Sequence, residues 1–403
     1  MSNIVLGGQP VFVGIANTPR GYAWGSRGAI SALLGVTPTG APEAELWLGA
    51  HPGSPSRILD PSQTGGHTDL VSWIAADPEH ALGSRAGSGR LPFLLKVLAA
   101  ASPLSLQAHP TAQQAIAGFA REHANGTELD APHRNYRDAY PKPELIYALE
   151  DGFEALCGFR PAVEVRELVQ RLIELDVDEN QADDPLHSWL NLTGSDETIR
   201  AAFEWLISKN QTVGELIARV VSIARANIEE FPTVVLLADA YPGDPGIVIS
   251  LMLNRVTLRK GEVLYLPAGN IHAYLRGLGV ELMTSSDNVM RGGLTPKHVD
   301  VPELLRVLDF RPVPVPYEAG SVEGDSVLAF HPADVDFELD VVTGSGAAHI
   351  DQAAIILCTD GAFTVTGATA SQAVTAGQSY YVTPNEGELA FAGAGRLFVA
   401  TSR

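Results

Sequence analysis

The feature that most limits how this chain can fold is a change of hydrophobic period at Pro161 and a change back near Gly246. From about residue 40 to 160, short apolar segments follow one another: AELWLGAH, LPFLLKVLAA, PLSLQAHP, PELIYALE and FEALCGF. They are bounded by Pro, Gly, Asn or Asp, which is how strands read. One interruption, TAQQAIAGFAREHANG, repeats Ala115, Ile116, Phe119 and Ala120 at helical spacing and stops at Asn125-Gly126. After Pro161 the segments VEVRELVQRLIELD, ETIRAAFEWLISK and TVGELIARVVSIARANIEEF place apolar residues three and four apart with charges opposite, and Ser195, Asp196 and Thr212 are candidate caps. Strands are expected to resume with IVISLMLNRVTL and with GEVLYLPAGNIHAYL around a Pro-Ala-Gly-Asn turn.

A linker-like run, Pro312-Val-Pro-Val-Pro316, lacks backbone donors and precedes a segment that reads as all-β. Within that segment, Ala376-Gly-Gln-Ser-Tyr-Tyr-Val-Thr-Pro384 echoes Lys260-Gly-Glu-Val-Leu-Tyr-Leu-Pro267. Both pass from a Gly turn through an alternating strand to a Pro turn, which suggests a duplicated jelly roll. Counted from each proline, His272 of the first copy faces Leu389 of the second, so the C-terminal copy lacks a comparable ligand. The expected class is mainly β with a helical insertion. A catalytic β domain is expected over 1–160 and 240–315, an all-α insertion over 161–239, and a C-terminal jelly-roll domain without metal ligands over 316–403.

Charge and cysteine usage exclude several functions. With 47 acidic against 27 basic residues the formal charge is −20, which argues against a nucleic acid or an anionic membrane as partner. No apolar run approaches the roughly 18 residues that span a bilayer, and MSNIVLGGQP at the N-terminus lacks a basic region before its short apolar stretch, so a cytoplasmic location is expected. Cys157 and Cys358 lie in apolar segments and read as buried reduced thiols. Gly277-Leu-Gly279 is too short for a dinucleotide fingerprint, and no Walker-type loop occurs.

Residues two apart on a strand share a face, so Gln107 with His109, and Lys142 with Glu144, can each point together into one cavity. His272 lies just past the Pro-Ala-Gly-Asn turn. Imidazole and carboxylate suit zinc, yet on spacing alone these residues are equally well read as satisfied surface or core groups, and an amide is a rare zinc ligand. Histidines 51, 67, 80, 123, 133, 187, 298, 331 and 349 read as surface residues.

Longer motifs carry a resemblance. YAWGS from Tyr22, AELWLGAHP from Ala44, LPFLLKVL from Leu91, PLSLQAHP from Pro103, KPE from Lys142, ALCGFR from Ala155, LPAGNIHAY from Leu266 and GVELMTSSDNVMRGGLTPK from Gly279 appear in order. In these the chain resembles the type I phosphomannose isomerases, enzymes of the cupin superfamily. The resemblance implies zinc held by Gln107, His109, Glu144 and His272, and a reversible exchange of mannose 6-phosphate and fructose 6-phosphate through an enediol. It implies Arg291 as an active-site cation, and it favours a monomer.

Lys96 interrupts an apolar strand, a costly place for a charge unless it faces a polar cavity. With Lys142, Ser105 and Arg291 it is expected to form a basic pocket for an anionic sugar phosphate, which the acidic chain as a whole would repel. Glu281 and Asp287 are the acidic candidates for proton transfer, with Lys142 and metal-bound water beside them. Trp24 is expected as an apolar wall or a core ring. One departure from the family pattern is Tyr140-Pro141 where members usually carry Asn-His, so no histidine is present there to move a proton. That departure leaves open a sugar-phosphate-binding cupin altered in catalysis. A third reading, an iron cupin oxygenase, would want a histidine-rich set with a carboxylate, and the Gln ligand and the phosphate-binding loop speak against it.

Overall fold

The computed structural model describes residues 11–176 and 184–403. Two antiparallel sheets and a helical region make up the molecule, and the division of labour between strand faces explains how they stack. In the strand Phe93–Ala100 every residue is buried. Phe93, Leu95, Val97 and Ala99 belong to one apolar core, while Leu94, Lys96 and Leu98 line a cavity on the other face. The same period of two divides Glu45–Leu48, where Leu46 and Leu48 enter the core and Glu45 and Trp47 face the cavity. That core is shared with the C-terminal sheet, whose Leu339, Val341, Ile355, Leu357 and Phe398 pack against it.

The long strand His272–Thr284 holds the first sheet together. Its first half pairs with Leu106–Ala108 and Phe153–Phe159, and its second half with Phe93–Ala100 and Glu144–Ala148. A register shift between Tyr274 and Arg276 marks a bulge. Before it, the even residue His272 points inward and Ala273 and Leu275 pack on the helical core. After it, Val280 and Leu282 pack outward and the odd residues Glu281 and Met283 face the cavity. The extra residue flips the parity, so His272 and Glu281 look into one interior despite opposite parity. Gly277 permits the bend: its φ is 133°, and an added Cβ would stand 2.8 Å from Phe153 Cα.

The helical region packs beneath the first half of this strand. Helices over Ala162–Leu175, Ile199–Ile207 and Gln211–Ala226 correspond to the three periodic segments, and two further helices, Pro185–Leu192 and Pro232–Ala240, join them. Asn210, not Thr212, caps Gln211–Ala226, its side chain accepting from Val213 N–H at 3.0 Å. The strand expected from Ile247 begins only at Leu253. Gly246–Ile249 is helical and Ser250–Met252 is a 3-10 turn. That run is apolar on every side and wholly buried, so its period could not separate helix from strand. Asp244 settles the matter locally by accepting from Gly246 N–H at 2.7 Å. Among the described residues no helix is long and apolar enough to cross a membrane.

In the C-terminal sheet the strand order includes two N-terminal strands, Phe12–Ala16, which pairs with Ser379–Val382, and Arg57–Ile58 beyond it at the edge. Sheet membership therefore does not follow the order of the chain. In this sheet Phe337, Leu339 and Val341 of one strand face the shared core and Glu338 and Asp340 lie on its other face. Glu338 pairs with Arg403, but neither Asp340 oxygen has a hydrogen-bond partner among the described residues. Burial first, then Glu338 and Glu323, push the Asp340 carboxyl up to about 8. The native state thus binds a proton that the unfolded chain releases above its ordinary value near 3.9. Stability from this group is full below that value and is lost as pH rises through about 8. Asp340→Asn is expected to stabilise the fold at pH 8 by on the order of 3 kcal/mol, and by much less at pH 4. Equal shifts in denaturant midpoint at both pH values would refute the assignment.

Candidate metal centre and its cavity

The residues that could hold a metal arrive from three directions, and main-chain hydrogen bonds aim the two histidines among them. His109 follows the short strand Leu106–Ala108, and its Nδ1 meets the Asn288 carbonyl at 2.8 Å. His272 opens the bent strand, with its Nδ1 3.0 Å from the Asn270 carbonyl. The Pro-Ala-Gly-Asn turn brings the two together, because Gly269 N–H donates to the His109 carbonyl at 2.9 Å. Gly269 has a φ of 82°, the left-handed conformation this turn requires. Because a carbonyl only accepts, each Nδ1 must carry a hydrogen, and in the neutral ring that a metal requires Nε2 is left with its lone pair.

Those lone pairs converge on Glu144, 1% exposed at the start of Glu144–Ala148. His109 Nε2 stands 3.4 Å from Glu144 Oε1, and His272 Nε2 stands 3.3 Å from Oε2. His109 Nε2 and Glu144 Oε2 are buried without hydrogen-bond partners among the described residues. Electron pairs facing one another in an apolar interior are unfavourable unless a cation lies between them. Proton capture by His109 does not relieve this, since burial first and then Lys142 hold its pKa down at about 4. Burial opposes ionisation of Glu144, but Lys142 and His109 overcome it and keep the carboxyl well below its usual range. Two neutral imidazoles and a carboxylate form a donor set that suits zinc, with room for a further ligand. Among the described residues it is the only group of three or more His, Cys, Asp or Glu side chains close enough to hold a metal. Gln107 adds its amide, with Nε2 3.3 Å from His272 Nε2. The amide O and N are interchangeable by rotation, so either can be turned to the centre.

The cluster lies at the base of a cavity of about 600 Å³. Every candidate from the sequence lines this cavity or its metal cluster: Trp24, Lys96, Ser105, Gln107, Lys142, Glu144, Glu281, Asp287 and Arg291 on the cavity wall, with His109 and His272 behind Glu144. Trp24 stacks on Tyr22 with ring centroids 5.7 Å apart. Lys142 Nζ contacts Glu144 Oε1. Lys96 Nζ is 2.8 Å from Glu281 Oε2 and 3.9 Å from Glu45 Oε1. Burial raises the Glu281 pKa, and Lys96 pulls it back only in part against Glu144 and Glu45.

The sequence left other contributors unmarked. His51, expected at the surface, is 6% exposed, and its Nε2 lies 3.3 Å from Asp287 Oδ2. Gly53 N–H donates to His51 Nδ1 at 3.0 Å, so Nε2 carries the hydrogen that points at Asp287. Burial works against the Asp287 carboxylate, but His51 and the lysines hold its pKa low. No ion pair joins Asp287 to Arg291 among those observed. Arg291 instead shares the cavity with Arg137 and Lys297, and burial followed by repulsion from Arg137 lowers its pKa. Lys297 is lowered by burial, then by Arg291 and Arg137. Mutual repulsion of this kind marks a place prepared for an anion. Arg137 and Lys297 both stood inside or beside quoted motifs, and a search for cations near them was the signal available.

Position 141 lies elsewhere. Pro141 and Pro143 share the outward parity of Leu145 and Tyr147, and they line a second cavity between the sheets with Phe337 and Ser402. The departure from the family pattern therefore removes no side chain from the cavity that holds Lys142 and Glu144.

Comparison with known proteins agrees with this geometry. Residues 13–162 match the family described as phosphomannose isomerase type I, catalytic domain. The mannose-6-phosphate isomerase of Escherichia coli is 35% identical over 396 residues, covering 95% of this chain and 97% of that protein. That of Homo sapiens is 36% identical over 318 residues, covering 72% of this chain and 71% of the other. A solved mannose 6-phosphate isomerase bound with zinc and yttrium superposes with a TM-score of 0.85 at 32% identity, covering 98% of this chain and 100% of that one. With that identity sustained over nearly its whole length, the chain belongs to the type I phosphomannose isomerases, the mannose-6-phosphate isomerases.

Proposed function

We propose that this protein interconverts mannose 6-phosphate and fructose 6-phosphate in the 600 Å³ cavity, using zinc held by Gln107, His109, Glu144 and His272. The observation that carries the reading is the pairing of two features in one cavity: converging electron pairs at its base and three mutually repelling cations, Arg137, Arg291 and Lys297, on its wall. Zinc at the base supplies Lewis-acid stabilisation of the negative charge that develops on the sugar oxygens. The cations bind the 6-phosphate, and the Arg291 fork favours a bidentate contact.

The protein's own side chains then move protons. An aldose and a ketose differ by a hydrogen at C1 or C2 and by a proton on the adjacent oxygens, and an enediol lies between them. Glu281 is assigned the carbon proton, because burial raises its pKa toward the range in which a carboxylate both takes up and returns a proton. Lys142 and the His51–Asp287 pair are assigned the oxygens, with Lys96 keeping Glu281 oriented. Trp24 and Ser105 line the sugar path. In this reading the chain divides into a catalytic domain over 1–160 and 240–315, a helical insertion over 161–239 and a C-terminal jelly roll over 316–403. The strands Phe12–Ala16 and Arg57–Ile58 are counted with the C-terminal sheet. The chain is taken to act in the cytoplasm and as a monomer.

The direct test is a coupled assay of fructose 6-phosphate formation by zinc-loaded protein; absence of product from mannose 6-phosphate would sink the reading. Arg291→Ala is expected to raise KM for mannose 6-phosphate about 10- to 100-fold, the worth of one charge-assisted contact of roughly 1.5–3 kcal/mol. The circular dichroism spectrum and melting temperature should not change. Unfolding, or an unaltered KM, would show that Arg291 serves its strand Met290–Gly293 and not the phosphate.

A further inference from the structure

The loop Arg137–Tyr140 and the turn Ser286–Asn288 hold each other in both directions. Asn288 is fully buried. Its Oδ1 accepts from the Arg137 and Asp138 N–H groups at 2.7 and 3.2 Å, and its Nδ2 donates to the Tyr140 and Asp138 carbonyls at 2.8 and 2.9 Å. Asp138 returns the contact: its carboxylate accepts from Ser286 Oγ at 2.8 Å and from Asp287 N–H at 2.9 Å. The main-chain oxygen of the same Asn288 receives His109 Nδ1–H. One clasp therefore touches a metal-binding imidazole, the Arg137 of the cationic wall and the Asp287 of the proton-handling pair.

We propose that this clasp couples the metal site to the phosphate-binding wall, with Asn288 as the positioning residue; the inference rests on the function proposed above. Fixing His109 from one side fixes the Asn288 carbonyl on the other. Asn288 then holds the main chain at Arg137, so the loop has less freedom left to lose when a phosphate binds. By linkage, a bound sugar phosphate must in turn tighten the metal by the same factor. An alternative source of such coupling is the bare attraction of a dication for an anion. That attraction does not pass through Asn288 and survives its removal.

The experiment titrates full-length protein with glucitol 6-phosphate, a sugar alcohol phosphate that cannot isomerise, in metal-free and zinc-loaded forms. Zinc affinity is measured separately by chelator competition. In the wild type, zinc is expected to tighten the probe about tenfold, a coupling within the usual range. Asn288→Ala keeps the carbonyl behind His109 but frees the turn that aims it. It should lose most of that gain and bind zinc more weakly, by at most about 10-fold. Ser286→Ala removes one clasp hydroxyl and touches no metal-binding side chain; it should lose part of the gain, and it carries the test if Asn288→Ala does not fold. A zinc-dependent gain unchanged in the folded variants overturns the proposal, as does an equal loss of probe affinity with and without zinc. Failure of the wild type to bind the probe in either form would instead bring down the phosphate assignment on which the clasp depends.

Discussion

His272→Ala is expected to lose zinc and turnover together, with kcat reduced by more than about a thousandfold and the fold retained. Its imidazole is aimed by Nδ1–H to the Asn270 carbonyl at 3.0 Å, so only Nε2 faces Glu144. Alanine removes that donor and leaves His109 and Glu144 with an amide as their remaining partner. A set short of one ligand holds zinc weakly, since affinity falls with each donor lost. Without the metal, the charge on the enediol has only the side-chain cations to stabilise it. Such electrostatic terms are commonly worth about two to three powers of ten per donor and more for an ion. Elemental analysis and turnover should fall in parallel, and excess zinc should restore part of both. The melting temperature in the presence of chelator should stay near that of the metal-free wild type, because position 272 then makes no bond to metal in either protein. Normal zinc content with lost turnover would make His272 a substrate contact, and full turnover after exhaustive chelation would end the metal hypothesis.

How much of this was legible beforehand depends on whether a feature is local. The inward facing of Gln107 with His109, and of Lys142 with Glu144, follows from the two-residue period of a strand. The three long helices announced themselves by spacing. What brings His272 and Glu281 into the same interior is a bulge between Tyr274 and Arg276, and a bulge is set by tertiary pairing that no short pattern records. His51 looked like a surface histidine because its partner, Asp287, is remote in the chain and close only in the fold. The opposite error attaches to Pro141. It sits beside Lys142 in sequence, and that adjacency suggested a lost active-site group, whereas strand parity sends it to the far face. The run from Gly246 to Met252 is helical where strand is expected, because uniform burial erases the pattern that distinguishes a helix from a strand.

Lys96 and Glu281 should respond asymmetrically to substitution. Lys96 is 5% exposed, in contact with Glu281 at 2.8 Å and within 3.9 Å of Glu45. Burial alone would lower its pKa, but Glu281, Glu45 and Glu144 together reverse this and hold the ammonium above its ordinary range. Lys96→Met removes the cation nearest Glu281 and strands that carboxylate, 2% exposed, beside two others. Breaking a buried pair from this side is expected to cost about 3–5 kcal/mol. Glu281 would then take up a proton in the native state, so the variant should be most stable at low pH and lose stability as pH rises through the raised native pKa. Glu281→Gln leaves Lys96 with Glu45 and with an amide oxygen that still accepts, so its stability should change little. Turnover should nevertheless fall about 10²- to 10⁴-fold, the contribution of a positioned general base. The Lys96→Met/Glu281→Gln double variant removes the stranded charge and should recover most of the stability lost in Lys96→Met while remaining inactive. Near-normal turnover of metal-loaded Glu281→Gln would transfer the carbon proton to Lys142, and equal stability losses in both single variants would show that Glu45 offers Lys96 no second partner.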